Sequence, residues 1–202
     1  MKIPRLAALA LIATVLLSAG SALAQTPPAA TPAPPPIPTP AQPRASQSAD
    51  PFGEELTLTP KIIVFAKGSA NWDSAFETLV EAFKKVNGAL AAQGIKAAGP
   101  AMTIYTATDD TGFEYQAGFP VAEEPKAPLP DGLAVGKSPE GRALKFLHRG
   151  SYDAMDSTYE AITNHLDERR LEARDLFVEH YITDPLTTQE DNLVIEVYVP
   201  IK

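Results

Sequence analysis

Glu179 stands between Phe177 and Tyr181, and Glu196 stands two residues before Tyr198. A carboxylate flanked by aromatic rings at strand spacing has a definite chemistry. Ring faces attract a cation through their quadrupoles, and a carboxylate among them supplies a counter-charge that strengthens as water is excluded. In Leu176 to Ile182 the side chains alternate, so Leu176, Val178 and Ile182 share one face and Phe177, Glu179 and Tyr181 the other. In Leu193 to Ile201 the aliphatics Leu193, Ile195, Val197 and Val199 share a face, opposite Glu196 and Tyr198. The aliphatic faces are expected against helices. The carboxylate-bearing faces are expected to form one aromatic wall, joined by Tyr105, Phe113, Tyr115 and Phe119 from earlier in the chain. On spacing alone two readings stay open: a pocket for an amphipathic cation, or a solvated face with tyrosines as ordinary strand formers.

Other chemistries find little support. The chain has no cysteine, which removes thiol catalysis, thiolate metal sites and disulfides. His148, His165 and His180 show no metal-ligand spacing, and no Ser-His-Asp pattern, phosphate loop or dinucleotide fingerprint is present. Ser138 to Gly141 reads as a turn. The net charge is −8 and no basic cluster follows the first residues, so a nucleic-acid partner is not expected; a charged ligand of this chain is a cation sooner than an anion. Glu179 could serve as a general base if burial raised its pKa, but no second catalytic residue presents itself.

The elements that must position these groups occur twice in similar order. Lys61 to Phe65 leads through Gly68-Ser69 into an amphipathic segment and then two alternating runs that end at Phe119-Pro120-Val121. Ala143 to Phe146 leads through Gly150-Ser151 into a second such segment and two more runs that end at Val199-Pro200-Ile201. Each copy reads strand, helix, strand, strand, which suggests a duplicated unit sharing one core. Trp72, Phe76, Leu79, Val80, Phe83, Val86 and Leu90 mark the first helix, with Asn71, Asp73 and Ser74 as capping candidates and Gly94 as its stop. Met155, Tyr159, Ile162 and Leu166 mark the second. The expected fold is α+β: duplicated β-α-β-β units forming an antiparallel sheet, helices on one side, and a groove between halves where ligands commonly bind. The stretch from Ala122 to Glu140 is expected to bridge the halves as a loop.

Residues 1–24 read as a signal peptide, with Lys2 and Arg5 before the apolar stretch Ala7 to Gly20 and an Ala22-Leu23-Ala24 cleavage signal. The alternative is an uncleaved anchor, although the stretch is short for a membrane span. Nine prolines between Thr26 and Pro43 rule out helix or sheet there, so 25–57 is expected as an extended linker and 58–202 as the folded domain. An exported protein follows, periplasmic in a Gram-negative cell and secreted otherwise, without a membrane segment once the signal is removed.

Three segments resemble the GyrI-like effector-binding family, the domain attached to AraC-type and MerR-type multidrug-responsive regulators. They are His148-Arg149-Gly150-Ser151-Tyr152, the helix carrying Tyr159, and Glu179-His180-Tyr181-Ile182-Thr183-Asp184-Pro185; the closing run from Ile195 to Ile201 is similar to the family's final strand. The resemblance covers about Thr59 to Lys202. It implies a buried glutamate at the base of an aromatic pocket for cationic lipophilic ligands, and the Glu-x-Tyr match puts that glutamate at Glu179. Tyr152 and Tyr181 become wall residues by the same match, with Trp72 and Phe76 contributed from the start of the first helix; Phe177, Tyr105 and Tyr115 are the remaining candidates from strand parity. No helix-turn-helix precedes the domain, so no transcriptional role is expected. Some relatives of the fold are hydrolases using a pocket glutamate, and SOUL-type haem-binding domains resemble it too. His148 and His180, on the apolar parity of their strands, and His165, near the helix stripe, read as core or boundary residues, so no cofactor is expected. The leading expectation is a noncatalytic module for a small organic ligand; the alternative partner is an envelope protein gripped in the groove, with the proline-rich tether giving reach.

Overall fold

The structure, a computed structural model, describes residues 52–202. The stretch expected to be a signal peptide and most of the stretch expected to be a linker lie outside them. Residues 52–57, expected as linker, instead form most of strand β1 (Phe52–Leu58), whose alternation Glu54, Leu56, Leu58 was masked by polar neighbours. There follow β2 (Ile62–Asn71), a 3-10 turn at Trp72–Ser74, α1 (Ala75–Ala92), β3 (Ala101–Thr108) and β4 (Gly112–Pro120). Then come β5 (Leu133–Lys137), β6 (Gly141–Arg149), a 3-10 turn at Tyr152–Ala154, α2 (Met155–Arg169), β7 (Phe177–Tyr181) and β8 (Val194–Pro200). β5 lies inside the stretch expected to be a plain bridge. The capping side chains expected before α1 make no cap hydrogen bond, whereas Ser151 accepts from the Asp153 N–H ahead of α2.

The fold is α+β, an eight-stranded antiparallel sheet in the order β1-β6-β8-β7-β3-β4-β2-β5 with two helices. Each run of strand, helix, strand, strand fills one side of the sheet, and the two sides meet where β3 pairs with β7. The outer strands are exchanged: β1 precedes the first run but pairs with β6 of the second, and β5 precedes the second but pairs with β2 of the first.

That exchange rolls the sheet. β1 and β2 stand six strand spacings apart, about 29 Å in a flat sheet, yet only residues 59–61 connect them, a reach of about 14 Å from Leu58 to Ile62. Residues 138–140 join β5 to β6 under the same constraint. The two links run together: the Lys61 N–H donates to Ser138 Oγ at 2.9 Å, and the Ser138 N–H to Lys61 O at 2.9 Å. Both faces therefore become interiors. On one, Leu79, Phe83, Val86 and Leu90 of α1 and Met155 and Ile162 of α2 pack against Val64, Ala117, Ile195 and Val197. On the reverse, Ile63, Phe65, Met102, Ile104, Val178 and Tyr198 form a second core inside the roll.

The second core corrects the expected facing of β7. Its aliphatic side chain Val178 serves the reverse core, so Phe177, Glu179 and Tyr181 face the helices. The aliphatic face of β8 does face the helices, as expected, and the register opposes Glu179 to Val197 and His180 to Glu196. Glu179 and Glu196 therefore lie on opposite faces and form no common wall. Alternation could not show this, because both faces of β7 are buried and periodicity does not say which core each one joins.

Candidate functional site

Glu179 is wholly buried, and four tyrosines reach it from three kinds of element. Tyr159, on the apolar stripe of α2, donates to Oε1 at 2.6 Å. Tyr181, two residues along β7, donates to Oε2 at 2.7 Å, and Tyr105 of β3 at 2.9 Å. Tyr152, opening the turn before α2, reaches Oε2 at 3.5 Å and shares a 2.5 Å hydrogen bond with the Tyr105 hydroxyl. Charge-assisted bonds of this kind are stronger than those between neutral groups, and together they compensate much of the cost of taking the carboxylate out of water. Burial nevertheless dominates. It pushes the Glu179 pKa above the usual carboxylate value against the lowering effect of the four hydroxyls. Burial first, and then the charge of Glu179, push all four tyrosines well above the usual phenol value, so at neutral pH they remain donors.

Aromatic rings close the site. Phe177 stacks on Tyr105 with centroids 4.3 Å apart and meets Tyr159 at 5.0 Å. Phe76, at the start of α1, stacks on Tyr152 at 5.2 Å, and Phe83 meets Tyr181 edge-on at 5.1 Å. Phe76, Tyr152, Tyr159 and Phe177 are half-buried, which makes them the rim, with Glu179 as the floor. A cleft of about 510 Å³ at the β3–β7 junction is lined in part by Phe177 of this rim and by Tyr105 beneath it.

Of the residues expected at the site, Glu179, Tyr181, Tyr152, Tyr105, Phe177 and Phe76 come together. Trp72 does not reach the carboxylate: its ring packs on Phe113 at 4.7 Å and its Nε1–H donates to Asp109 O at 2.9 Å. Tyr115 lies further along β4, against Phe113 and over Gly68, where an added Cβ would meet its hydroxyl at 2.5 Å. Tyr159 was missed as a site residue. Its signal was present, since a tyrosine in an otherwise apolar helix stripe needs a partner for its hydroxyl. Thr103 was missed as well: it is wholly buried and pairs with Glu179 across the β3–β7 junction.

The three histidines lie in three different surroundings. His148 is buried between Thr158 Oγ1 at 2.7 Å and Ser151 O at 3.0 Å. His165 packs edge-on against Phe52 and Phe146, and His180 lies against Tyr198 on the reverse face. Among the described residues no cluster of His, Asp and Glu could hold a metal ion, and no helix is long and apolar enough to cross a membrane.

A family model described as a GyrI-like small molecule binding domain matches residues 54–202. No curated protein matches. Among solved structures, the chain is similar to EcmrR in its complex with DNA (TM-score 0.64, 14% identity), over 74% of this chain and 57% of that one. It thus spans less than two thirds of that relative's length. It is also similar to SAV2435 bound to tetraphenylphosphonium (TM-score 0.53, 15% identity, 74% of this chain and 93% of that one). A hydrolase from Listeria innocua aligns with a TM-score of 0.50 at 12% identity, over 77% of this chain and 94% of that one. At such identities the likeness is one of fold.

Proposed function

The chain belongs to the GyrI-like small-molecule-binding family, and from that premise we propose that it binds an amphipathic organic cation, with Glu179 as the counter-charge and the tyrosine and phenylalanine rings as the walls. The carrying observation is the state of Glu179: a wholly buried carboxylate whose partners are tyrosine hydroxyls. Hydroxyls disperse the charge but do not neutralise it, and burial disfavours the charged form. A lipophilic cation supplies the missing charge and brings apolar surface for Phe76, Tyr152, Tyr159 and Phe177 to cover. The bound tetraphenylphosphonium of SAV2435 is a ligand of this class.

The basic start, the apolar stretch and the Ala22-Leu23-Ala24 signal support export, so the proposed setting is the cell envelope, with scavenging or sensing as the role. A second reading, hydrolysis with Glu179 as general base, draws on the raised basicity that burial gives this carboxylate.

Titration of tetraphenylphosphonium into the protein, followed by calorimetry and thermal shift, tests the first reading. Binding that raises the melting temperature and is lost in Glu179→Gln supports it. A folded wild type indifferent to lipophilic cations, or a Gln variant that binds them equally well, removes it. Analysis of ester and amide ligands after incubation separates binding from turnover.

A further inference from the structure

β7 turns Glu179 to the helices and its neighbour His180 to the other face, and that face has a cavity of its own. At the end of the roll where the links 59–61 and 138–140 cross, Leu56, Leu58, Lys61, Val178, His180 and Tyr198 are among the residues lining a cleft of about 240 Å³. This is smaller than the pockets that take drug-sized ligands. Lys61 is the one charged residue on its lining when His180 is neutral. The backbone of Lys61 is pinned in both directions to Ser138, while its exposed side chain makes no ion pair among the described residues. Its charge reaches His180: burial first, then Lys61, holds the imidazole pKa down to about 4.

At neutral pH His180 is therefore an uncharged ring with one N–H donor and one acceptor nitrogen, and among the described residues neither nitrogen has a hydrogen-bond partner. The ring rests on Tyr198 with centroids 4.6 Å apart. Tyr198 is engaged elsewhere, donating to Glu196 Oε2 at 2.5 Å. Glu196 faces Lys145 at 3.9 Å, and Lys145 binds Glu54 at 2.9 Å, so the nearby acids have their own cation and lie off the cleft lining. What remains is an unpaired ammonium and an unpaired imidazole beside an apolar floor.

We propose that this cleft is a second binding site, for a small organic anion with an apolar body such as an aromatic or short-chain carboxylate. Lys61 and the His180 N–H hold the carboxylate; Leu56, Leu58 and Val178 cover the body. The site is independent of the Glu179 pocket, being on the other face of the sheet and of opposite charge preference.

Benzoate titrated into the full-length protein tests it, read by thermal shift and by the imidazole NMR signals, which are few because the chain has three histidines. The expected result is a saturable shift of the His180 signals. Lys61→Gln, at an exposed position, weakens benzoate by at least about tenfold and leaves tetraphenylphosphonium titrations unchanged, while Glu179→Gln leaves benzoate unchanged. His180 signals that stay still at millimolar benzoate, equal benzoate affinity in Lys61→Gln, or benzoate shifts that appear at Tyr152 and Tyr159 instead would each overturn the proposal.

Discussion

Across the β3–β7 junction the two halves of the sheet face each other residue by residue, and they differ where it matters. Thr103 lies beside Glu179, Tyr105 beside Phe177, and Ala101 beside Tyr181. Tyr105 and Tyr181 are counterparts, each two residues beyond the central position, and both donate to the same oxygen of Glu179. The likeness ends there. Trp72 opens the 3-10 turn of the first half and Tyr152 that of the second. Leu79 is the fifth residue of α1, a core side chain, whereas Tyr159 is the fifth of α2 and bonds Oε1. At these positions the first run of strand, helix, strand, strand thus carries apolar filling, and the second carries the charge and most of its donors, with Tyr105 the donor from the first. The site is a difference between matching positions, not a property of the fold.

The most severe way to break that difference is to erase it in the wrong direction. Thr103→Glu puts a second carboxylate next to the first in a dry interior, where no cation answers either. It should destabilise by on the order of 3–5 kcal/mol, read as a lowered midpoint in urea; near-native stability would mean that water reaches the junction. Glu179→Thr makes the halves alike from the other side. It should abolish cation binding while the fold survives, since the tyrosine hydroxyls can bond one another. Tyr159→Phe removes the one donor to Oε1 among the described residues and should cost about 1.5–3 kcal/mol, the range for a hydrogen bond to a charged group. Leu79, with no hydroxyl to lose, is the matched control.

The charge also makes the second half pH-sensitive in a way that Thr103 cannot. Burial raises the folded-state pKa of Glu179, so the folded protein holds that proton to higher pH than the unfolded chain. Its contribution to stability is complete below the unfolded carboxylate pKa and declines as pH rises through the folded one. The stability of the wild type relative to Glu179→Gln should therefore fall from acid toward neutral pH. A flat difference would show that the hydroxyls fully offset burial.

Much of this was legible in the residues. The order of the main elements, both helices and the shared face of Phe177, Glu179 and Tyr181 follow from period and parity, with Tyr105 as a further strand candidate; Tyr152 came only through the family resemblance. β1 and β5 were not legible, because short edge strands such as Glu54 to Leu58 carry alternation too brief to stand out from a polar tail. The exchange of those strands was hidden for a stronger reason. Pairing is a property of the whole sheet, and only the shortness of links 59–61 and 138–140, once the strand order is known, reveals the roll. The reverse core follows from the roll, and with it the true facing of Glu196, which periodicity placed beside Glu179.

The smallest test concerns how each half ends its helix. α1 closes with the Ile95 N–H bonded to Leu90 O at 2.9 Å and Gly94 at φ +67°. α2 closes the same way, with the Leu171 N–H bonded to Leu166 O at 2.9 Å, but the left-handed position is Arg170 at φ 55°. A side chain there brings Cβ against the following carbonyl, at a cost of roughly 1–2 kcal/mol, while glycine gives some of that back through the greater freedom of its unfolded chain. Arg170→Gly should thus stabilise by up to about 1 kcal/mol, and Gly94→Ala should destabilise by about as much. Opposite signs in thermal melts would show that the two caps are one device differing in a single residue. A loss in both would mean that the Arg170 side chain holds the end of α2 by contacts worth more than the strain.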